Sequence, residues 1–92
     1  GRPEKAKQVI ESILNNKNQK LNSEVLQAVH ATAAEMNFQE GHFGLAEKHI
    51  RMSQAHGNQS QFLKYRLAWC LMNRGENKMA KAIMLDILKS EE

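Results

Sequence analysis

The segment from Gln61 to Arg74 places apolar side chains on two faces of a single helix. The first face, which we call the aromatic stripe, consists of Phe62, Tyr65, Trp69 and Met72. The second face consists of Leu63, Leu67, Cys70 and Leu71. Because a helix that is apolar on both sides has to be covered on both, this segment is predicted to have two neighbours.

The rest of the chain also favours helix. One Pro, five Gly and few β-branched residues stand among many Ala, Leu, Lys, Glu, Gln and Met, and these common residues have high helix propensity. Hydrophobic residues make up 41% of the 92-residue chain and charged residues 25%, which is the balance of a folded globular domain. We therefore predict one all-α domain.

A period of 34 residues relates the central part of the chain to the part that follows it. The identical or similar pairs are Gly41 and Gly75, Ala46 and Ala80, Ala34 and Ala68, and Ile50 and Met84. Apolar character is also shared by Ala33 and Leu67, Phe38 and Met72, Val29 and Leu63, and Leu45 and Met79. A period of this length predicts two copies of one helix–turn–helix unit.

The glycines of this period are predicted to mark tight turns between helices. Gly41 and Gly75 each follow a helix-forming stretch, where a residue in the left-handed conformation commonly ends a helix. Ala46 and Ala80 come five residues later and are small enough to let two antiparallel helices approach closely. Ser60 is predicted to cap the helix that follows it.

The opening residues repeat the same spacing at a longer offset. Gly1 and Ala6 stand 40 residues before Gly41 and Ala46, which places about six extra residues in a polar loop. The predicted division is the second helix of an incomplete repeat at 1–16, a loop at 17–22, and repeats at 23–58 and 59–92, or about five helices. Because the chain starts without Met, we expect it to be part of a larger protein.

A 34-residue helix–turn–helix unit with Gly at the turn and Ala five residues later resembles the tetratricopeptide repeat (TPR) family. The resemblance covers roughly residues 27 to 92, and residues 1 to 14 more loosely. It implies antiparallel helix pairs that stack as a short right-handed solenoid. It also implies that the first helices of the pairs line a concave face that binds peptides or partner proteins.

The chain departs from the family pattern at several positions. His30 and Lys64 stand where the family usually has a large aromatic residue, and no Pro closes either repeat. We therefore expect a divergent member. Some members hold a C-terminal carboxylate with basic residues, but here these positions fall at Phe62 and Arg66, and only Arg66 matches. Capture of a C-terminal tail in that way is therefore disfavoured.

The resemblance implies that the aromatic stripe points to the concave face or to a neighbouring repeat, and that part of the preceding first helix lines the same surface. The residues predicted to contact a partner there are Glu35, Phe38, Phe62, Tyr65, Arg66, Trp69, Met72 and Asn73. The stripe has two interpretations, either contact between repeats or a partner-binding groove, and aromatic side chains beside Arg66 are typical of interaction hot spots. A solvated carboxylate is the simpler interpretation of Glu35, and the alternatives are a pair with Arg66 or a pair with a basic group on a partner.

Histidine and cysteine give no pattern for catalysis or metal binding. His42, His49 and His56 are seven residues apart, about 10.5 Å along a helix, which is too far for one metal ion. His30 is expected to be a packed imidazole, and Cys70 a small buried apolar residue. A phosphate-binding Gly loop and a nucleophile elbow are also missing from the sequence. We therefore expect no enzyme activity, no cofactor and no metal.

Charge and hydropathy bear on the remaining classes of protein. Thirteen Lys and Arg against ten Asp and Glu give a net charge of +3 that is spread along the chain. This distribution disfavours nucleic acid, although the pentatricopeptide repeats that bind RNA have a similar architecture. The longest apolar run, from Leu67 to Met72, is far shorter than the roughly 20 residues that span a bilayer, so no membrane insertion is expected.

The sequence alone therefore predicts a scaffold module that binds a protein or peptide partner. The alternatives are an RNA-binding helical repeat and a purely structural segment, which self-associates through the aromatic stripe in one version of this hypothesis. A single Cys favours a reducing compartment, and a cytoplasmic location is the expectation.

Overall fold

The computed structural model describes residues 2–15 and 22–91, with side chains described from Glu4 onward. The helices are α1 (Arg2–Asn15), α2 (Ser23–Gln39), α3 (Phe43–Ala55), α4 (Gln61–Asn73) and α5 (Asn77–Ser90). The described part of the chain is therefore all-α with five helices, as predicted. The predicted turn at Gly1 and the predicted loop up to residue 21 lie outside the described residues.

The turns after α2 and α4 have the same backbone geometry. Gly41 has a φ of 80° and Gly75 a φ of 82°, which confirms the predicted left-handed residue at both places. In each turn the N–H of the residue after the glycine donates to a carbonyl oxygen five residues earlier, at 2.8 Å. This pattern is the Schellman motif, which satisfies carbonyl groups that the end of a helix leaves unpaired.

Two helices begin at polar residues with extended backbone. Asn22 caps α2, since its Oδ1 accepts a hydrogen bond from the N–H of Val25 at 2.8 Å. Ser60 occupies the equivalent position before α4, but its side chain makes no capping hydrogen bond, so the predicted cap is wrong. The N–H of Ser60 donates to Oδ1 of Asn58 at 3.0 Å. This hydrogen bond lies within the loop before α4 and does not cap the helix.

Neighbouring helices pack in pairs, and the pairs pack on each other. The most extensive contacts are between α2 and α3 and between α4 and α5. α3 packs against α4 and so joins the two pairs, while α2 contacts both α1 and α4. Within the described part of the chain, no helix combines the length and the apolar character needed to cross a bilayer.

The core forms where α4 meets α2, α3 and α5. Its buried apolar residues are Ala34, Ala46, Ile50, Leu63, Leu67, Ala68, Cys70, Leu71 and Ala80. The second apolar face of α4 supplies Leu63, Leu67, Cys70 and Leu71 to this core, so its predicted burial is confirmed. Ala46 and Ala80 are almost fully buried, which fits their predicted role at close helix contacts.

Candidate partner-binding surface

A bidentate ion pair joins α2 to α4. Arg66 donates from Nε to Oε2 of Glu35 at 3.0 Å and from Nη2 to Oε1 at 2.7 Å. Both side chains are partly shielded from solvent. A guanidinium that makes two parallel hydrogen bonds to a carboxylate is held in a fixed plane. The simpler interpretation of Glu35 as a solvated carboxylate is therefore wrong, because the packing of α2 beside α4 brings Arg66 within reach.

The charge state of Glu35 follows from its surroundings. Partial burial disfavours the carboxylate, but hydrogen bonds from Arg66 and Gln39 outweigh that effect and hold the pKa of Glu35 below its usual value. Gln39 donates from Nε2 to Oε1 of Glu35 at 2.7 Å, from one turn further along α2. Glu35 therefore remains ionised at neutral pH and keeps Arg66 in place.

Two phenylalanine rings contact the same guanidinium. The Cζ atom of Arg66 lies 4.0 Å from the ring centroid of Phe38 in α2 and 4.8 Å from that of Phe62 in α4. These are cation–π distances, and the interaction adds to the ion pair in fixing the side chain. Arg66 is thus anchored by one carboxylate and two rings.

Trp69 extends this aromatic surface. Its ring meets Phe38 edge to face with the centroids 6.2 Å apart, and Phe38 meets Phe43 of α3 in the same way at 5.5 Å. Trp69 is nevertheless 56% exposed and Phe62 is 54% exposed. Large aromatic side chains that are held in position and still half exposed are candidates for contact with another molecule.

We call the surface formed by Glu35, Phe38, Phe62, Arg66 and Trp69 the α2/α4 surface. These five of the eight predicted site residues meet between the two helices. Three others, Tyr65, Met72 and Asn73, are exposed on α4. Asn73 donates to the carbonyl oxygen of Trp69 at 2.9 Å and so is engaged with its own helix.

Phe43 and the stacking of Arg66 at this surface were not predicted from the sequence. Phe43 is the first residue of α3, two residues after the turn at Gly41, and packs edge to face on Phe38. The signal that could have found it is the tightness of that turn, which returns the chain directly to the end of α2.

A second cluster, the histidine cluster, consists of His30, His49 and His56. His30 in α2 is 3% exposed, so the prediction of a packed imidazole is confirmed. Its Nδ1 lies 3.0 Å from Nδ1 of His49 in α3, a distance at which one ring donates and the other accepts a hydrogen bond. The rings of His30 and His56 are nearly parallel, with centroids 6.0 Å apart.

The pKa values of two of these histidines are lowered. Burial, together with the neighbouring rings of His49 and His56, holds the pKa of His30 below its ordinary value. Burial and the charge of Lys48 lower the pKa of His49. In both cases the surroundings favour the neutral ring, which the shared hydrogen bond requires of at least one partner.

The histidine cluster joins residues that the sequence keeps apart. His49 lies in α3 and His56 directly follows the end of α3, about two turns further on, and His30 on the neighbouring helix α2 contacts both. Among the residues that the structure describes, no group of three or more His, Cys, Asp or Glu side chains is arranged to hold a metal ion. The histidine cluster is therefore described as a packing contact between α2 and α3.

Cys70 faces the core of the protein. Its side chain is fully buried, and burial raises the pKa of its thiol to about 11. The thiolate, which is the reactive form, is then very rare at neutral pH. The prediction that Cys70 is a small buried apolar residue is confirmed.

The α2/α4 surface offers exposed aromatic rings around one fixed cation. Tyr, Trp and Arg are the residue types most enriched among those that contribute most of the binding energy in protein interfaces. Comparisons of the chain with family models, with curated proteins and with solved structures return no match.

Proposed function

We propose that this chain is a non-enzymatic interaction module that binds a peptide or protein partner on the α2/α4 surface. The observation that carries the proposal is the half-exposed pair of rings, Phe62 and Trp69, beside an Arg66 side chain that Glu35 holds in one orientation. A surface ordered before binding loses less conformational entropy when a partner docks.

The module is further proposed to be a divergent TPR-like solenoid. The 34-residue period, the equivalent turns at Gly41 and Gly75, and the packing of α3 between two helix pairs support this architecture. On this proposal, residues 23–58 and 59–92 are the two repeats and residues 1–16 contribute the second helix of a preceding one.

The side chains of the α2/α4 surface indicate what kind of partner is expected to bind. Arg66 already has its carboxylate in Glu35, so the partner is expected to bring apolar or aromatic side chains rather than an acid to this site. Burying the exposed half of a large side chain stabilises a complex by roughly 1 to 2 kcal/mol, at about 25 cal/mol per Å². Phe62 and Trp69 together with Met72 can therefore supply most of the affinity of a short segment.

Selection from a random peptide library against the immobilised chain tests the proposal and requires no candidate partner. Selected peptides are titrated into ¹⁵N-labelled protein, and the amide shifts locate the binding site. The proposal expects peptides rich in apolar residues and shifts at Phe62, Arg66 and Trp69. Shifts confined to α1, α3 or α5 would show that another surface is used.

Two simple measurements distinguish the alternatives. Retention on single-stranded RNA that falls steeply with salt would favour the RNA-binding repeat, because contacts to phosphates release counterions. Sedimentation of the free chain distinguishes a monomer from a dimer. A dimer that Trp69→Glu dissociates without loss of helix content would favour self-association through the aromatic stripe.

A further inference from the structure

The ion pairs between successive helices follow the internal period of the chain. Lys7 in α1 pairs with Glu40, the C-terminal cap residue of α2. Glu47 in α3 pairs with Arg74, the C-terminal cap residue of α4. Arg74 stands 34 residues after Glu40, so the two pairs join equivalent positions with their charges exchanged.

The partners of Glu40 and Arg74 in these two ion pairs, Lys7 and Glu47, also stand at positions related by the repeat. Glu47 stands 40 residues after Lys7, the offset that also relates Ala46 to Ala6. Lys81 stands 34 residues after Glu47, and both are the fifth residue of their helix. At this repeated position α1 carries a basic residue, α3 an acidic residue and α5 a basic residue. We call Lys7, Glu47 and Lys81 the charge series.

Lys81 continues the series without a partner of its own within the described chain. Lys7 pairs with an acid and Glu47 with a base. Among the described residues, Lys81 takes part in no ion pair. A partner that paired with Lys81 as Glu40 pairs with Lys7 would present a carboxylate at the C-terminal end of a helix.

Apolar residues accompany Lys81 on the same side of α5. Leu85 and Leu88 follow it by four and seven residues, which places all three on one face of the helix, and both leucines are 54% exposed. The equivalent residues in α3 are Arg51 and Gln54, which are polar. We call the surface of Lys81, Leu85 and Leu88 the α5 outer face.

We propose that the α5 outer face docks an amphipathic α-helix of a partner protein, and that this helix carries a carboxylate in its last turn. The carboxylate pairs with Lys81 as Glu40 pairs with Lys7, and apolar side chains one and two turns before it cover Leu85 and Leu88. This surface is separate from the α2/α4 surface, so the inference does not rest on the function proposed above.

The contact of α3 with α4 fixes the direction of the docked helix. The C-terminal end of α4 meets the first turns of α3, where Glu47 lies. A helix that places its last turn at Lys81 therefore runs antiparallel to α5. Leu88 lies about 10.5 Å further along α5 than Lys81, which is two turns. The partner helix is thus required to be apolar about seven residues before its carboxylate.

A peptide derived from α4 serves as the probe. It contains residues 60–76 with Arg74→Glu, and the matched control is the same peptide with Arg74 retained. Both are titrated into the ¹⁵N-labelled chain and into its Lys81→Glu variant at low salt. We expect the Glu peptide to bind the unmodified chain about threefold to tenfold tighter than the Arg peptide, because one exposed attraction replaces one repulsion. Lys81→Glu is expected to reverse that preference.

The amide shifts show where on the chain the peptide binds. The proposal expects the largest shifts at Lys81, Leu85 and Leu88. Equal binding of both peptides to both proteins, or no binding at millimolar peptide, overturns the proposal, as do shifts confined to α2 and α3. Concentration-dependent shifts of the free chain at the same amides would assign the face to a second copy and overturn the choice of partner. Circular dichroism checks that Lys81→Glu, a change at an exposed residue, leaves the fold intact.

Discussion

His30 and His49 share one hydrogen bond between their Nδ1 atoms, 3.0 Å apart, across the contact of α2 with α3. One of the two rings has to be unprotonated at Nδ1 for this bond to form. His30 is buried, so protonation of both rings would leave like charges and two donors facing each other within the protein. The contact of the first helix pair is therefore sensitive to pH.

We predict that stability falls as the pH decreases from 7.5 to 5.5. The pKa values of His30 and His49 are lowered in the folded protein, so the unfolded chain takes up protons first. Their contribution is fully present above the ordinary histidine pKa, near 6.5, and is lost as the pH falls below it. Urea midpoints at three pH values measure the effect.

The matched variants for this prediction are His30→Gln and His42→Gln. His30→Gln is expected to flatten the slope of stability against pH, and His42→Gln is the control for loss of an exposed imidazole outside the histidine cluster. An unchanged slope in His30→Gln would contradict the account of the histidine cluster. Glu35 and Glu47, with lowered pKa values, lose their contribution only below the ordinary carboxyl pKa near 4.5, in a separate range.

Double-mutant cycles are expected to give different coupling free energies for two ion pairs that each join one basic and one acidic residue. The coupling between Glu35 and Arg66 should be about 0.5 to 1 kcal/mol, because the pair is bidentate and partly shielded. The pair of Lys64 and Asp86 makes one bond at 3.3 Å and is more exposed, so its coupling should be close to zero. The cycles use Gln for Glu35 and Arg66, and Gln and Asn for Lys64 and Asp86, with unfolding in urea. Equal couplings would argue against a held Arg66.

The turn after α4 gives a prediction about backbone conformation. Gly75→Ala is expected to destabilise the fold by about 1 to 2 kcal/mol, since Gly75 has a φ of 82° and an L residue is strained there. A Cβ at Gly75 would meet no atom within 4 Å outside the residue itself and its two chain neighbours, so the cost comes from the backbone conformation and not from a clash with surrounding residues. Gly44→Ala is the control, because Gly44 lies within α3 with equal free space. That change is expected to stabilise by about 0.5 to 1 kcal/mol.

Cys70 is expected to react slowly with thiol reagents. Its thiol is buried and its pKa is raised to about 11, so both access and ionisation oppose the reaction at pH 7.5. Iodoacetamide labelling in buffer and in denaturing urea measures the difference. We predict that labelling in buffer follows transient unfolding and is slower by orders of magnitude than in urea. Similar rates in both conditions would place Cys70 at the surface.

The helices were the predictable part of this protein. Gly41 and Gly75 locate two turns because glycine is the residue best suited to a left-handed helix end, and the apolar faces of α4 follow from helical spacing alone. Ser60 shows the limit of such local rules. Ser60 lies directly before α4, as predicted, but the hydrogen bond there joins its own N–H to the side chain of Asn58 and does not cap the helix.

The candidate site depends on how helices lie beside each other, which local spacing does not specify. Arg66 and Glu35 are 31 residues apart in sequence, and both a solvated and a paired Glu35 were compatible with the pattern. His30 meets His49 for the same reason, since the partner lies on another helix. The apolar faces of one helix could be placed from the sequence, whereas side-chain pairs between helices required the packing.

The most direct test of the central claim compares the affinities of one selected peptide for three forms of the chain. Trp69→Ser removes the largest exposed ring of the α2/α4 surface, and Val9→Ser removes a similarly exposed apolar side chain from α1. We predict that the dissociation constant rises about 30-fold for Trp69→Ser, the size of a hot-spot loss near 2 kcal/mol, and stays unchanged for Val9→Ser. Equal affinities for all three folded forms would contradict binding at the α2/α4 surface.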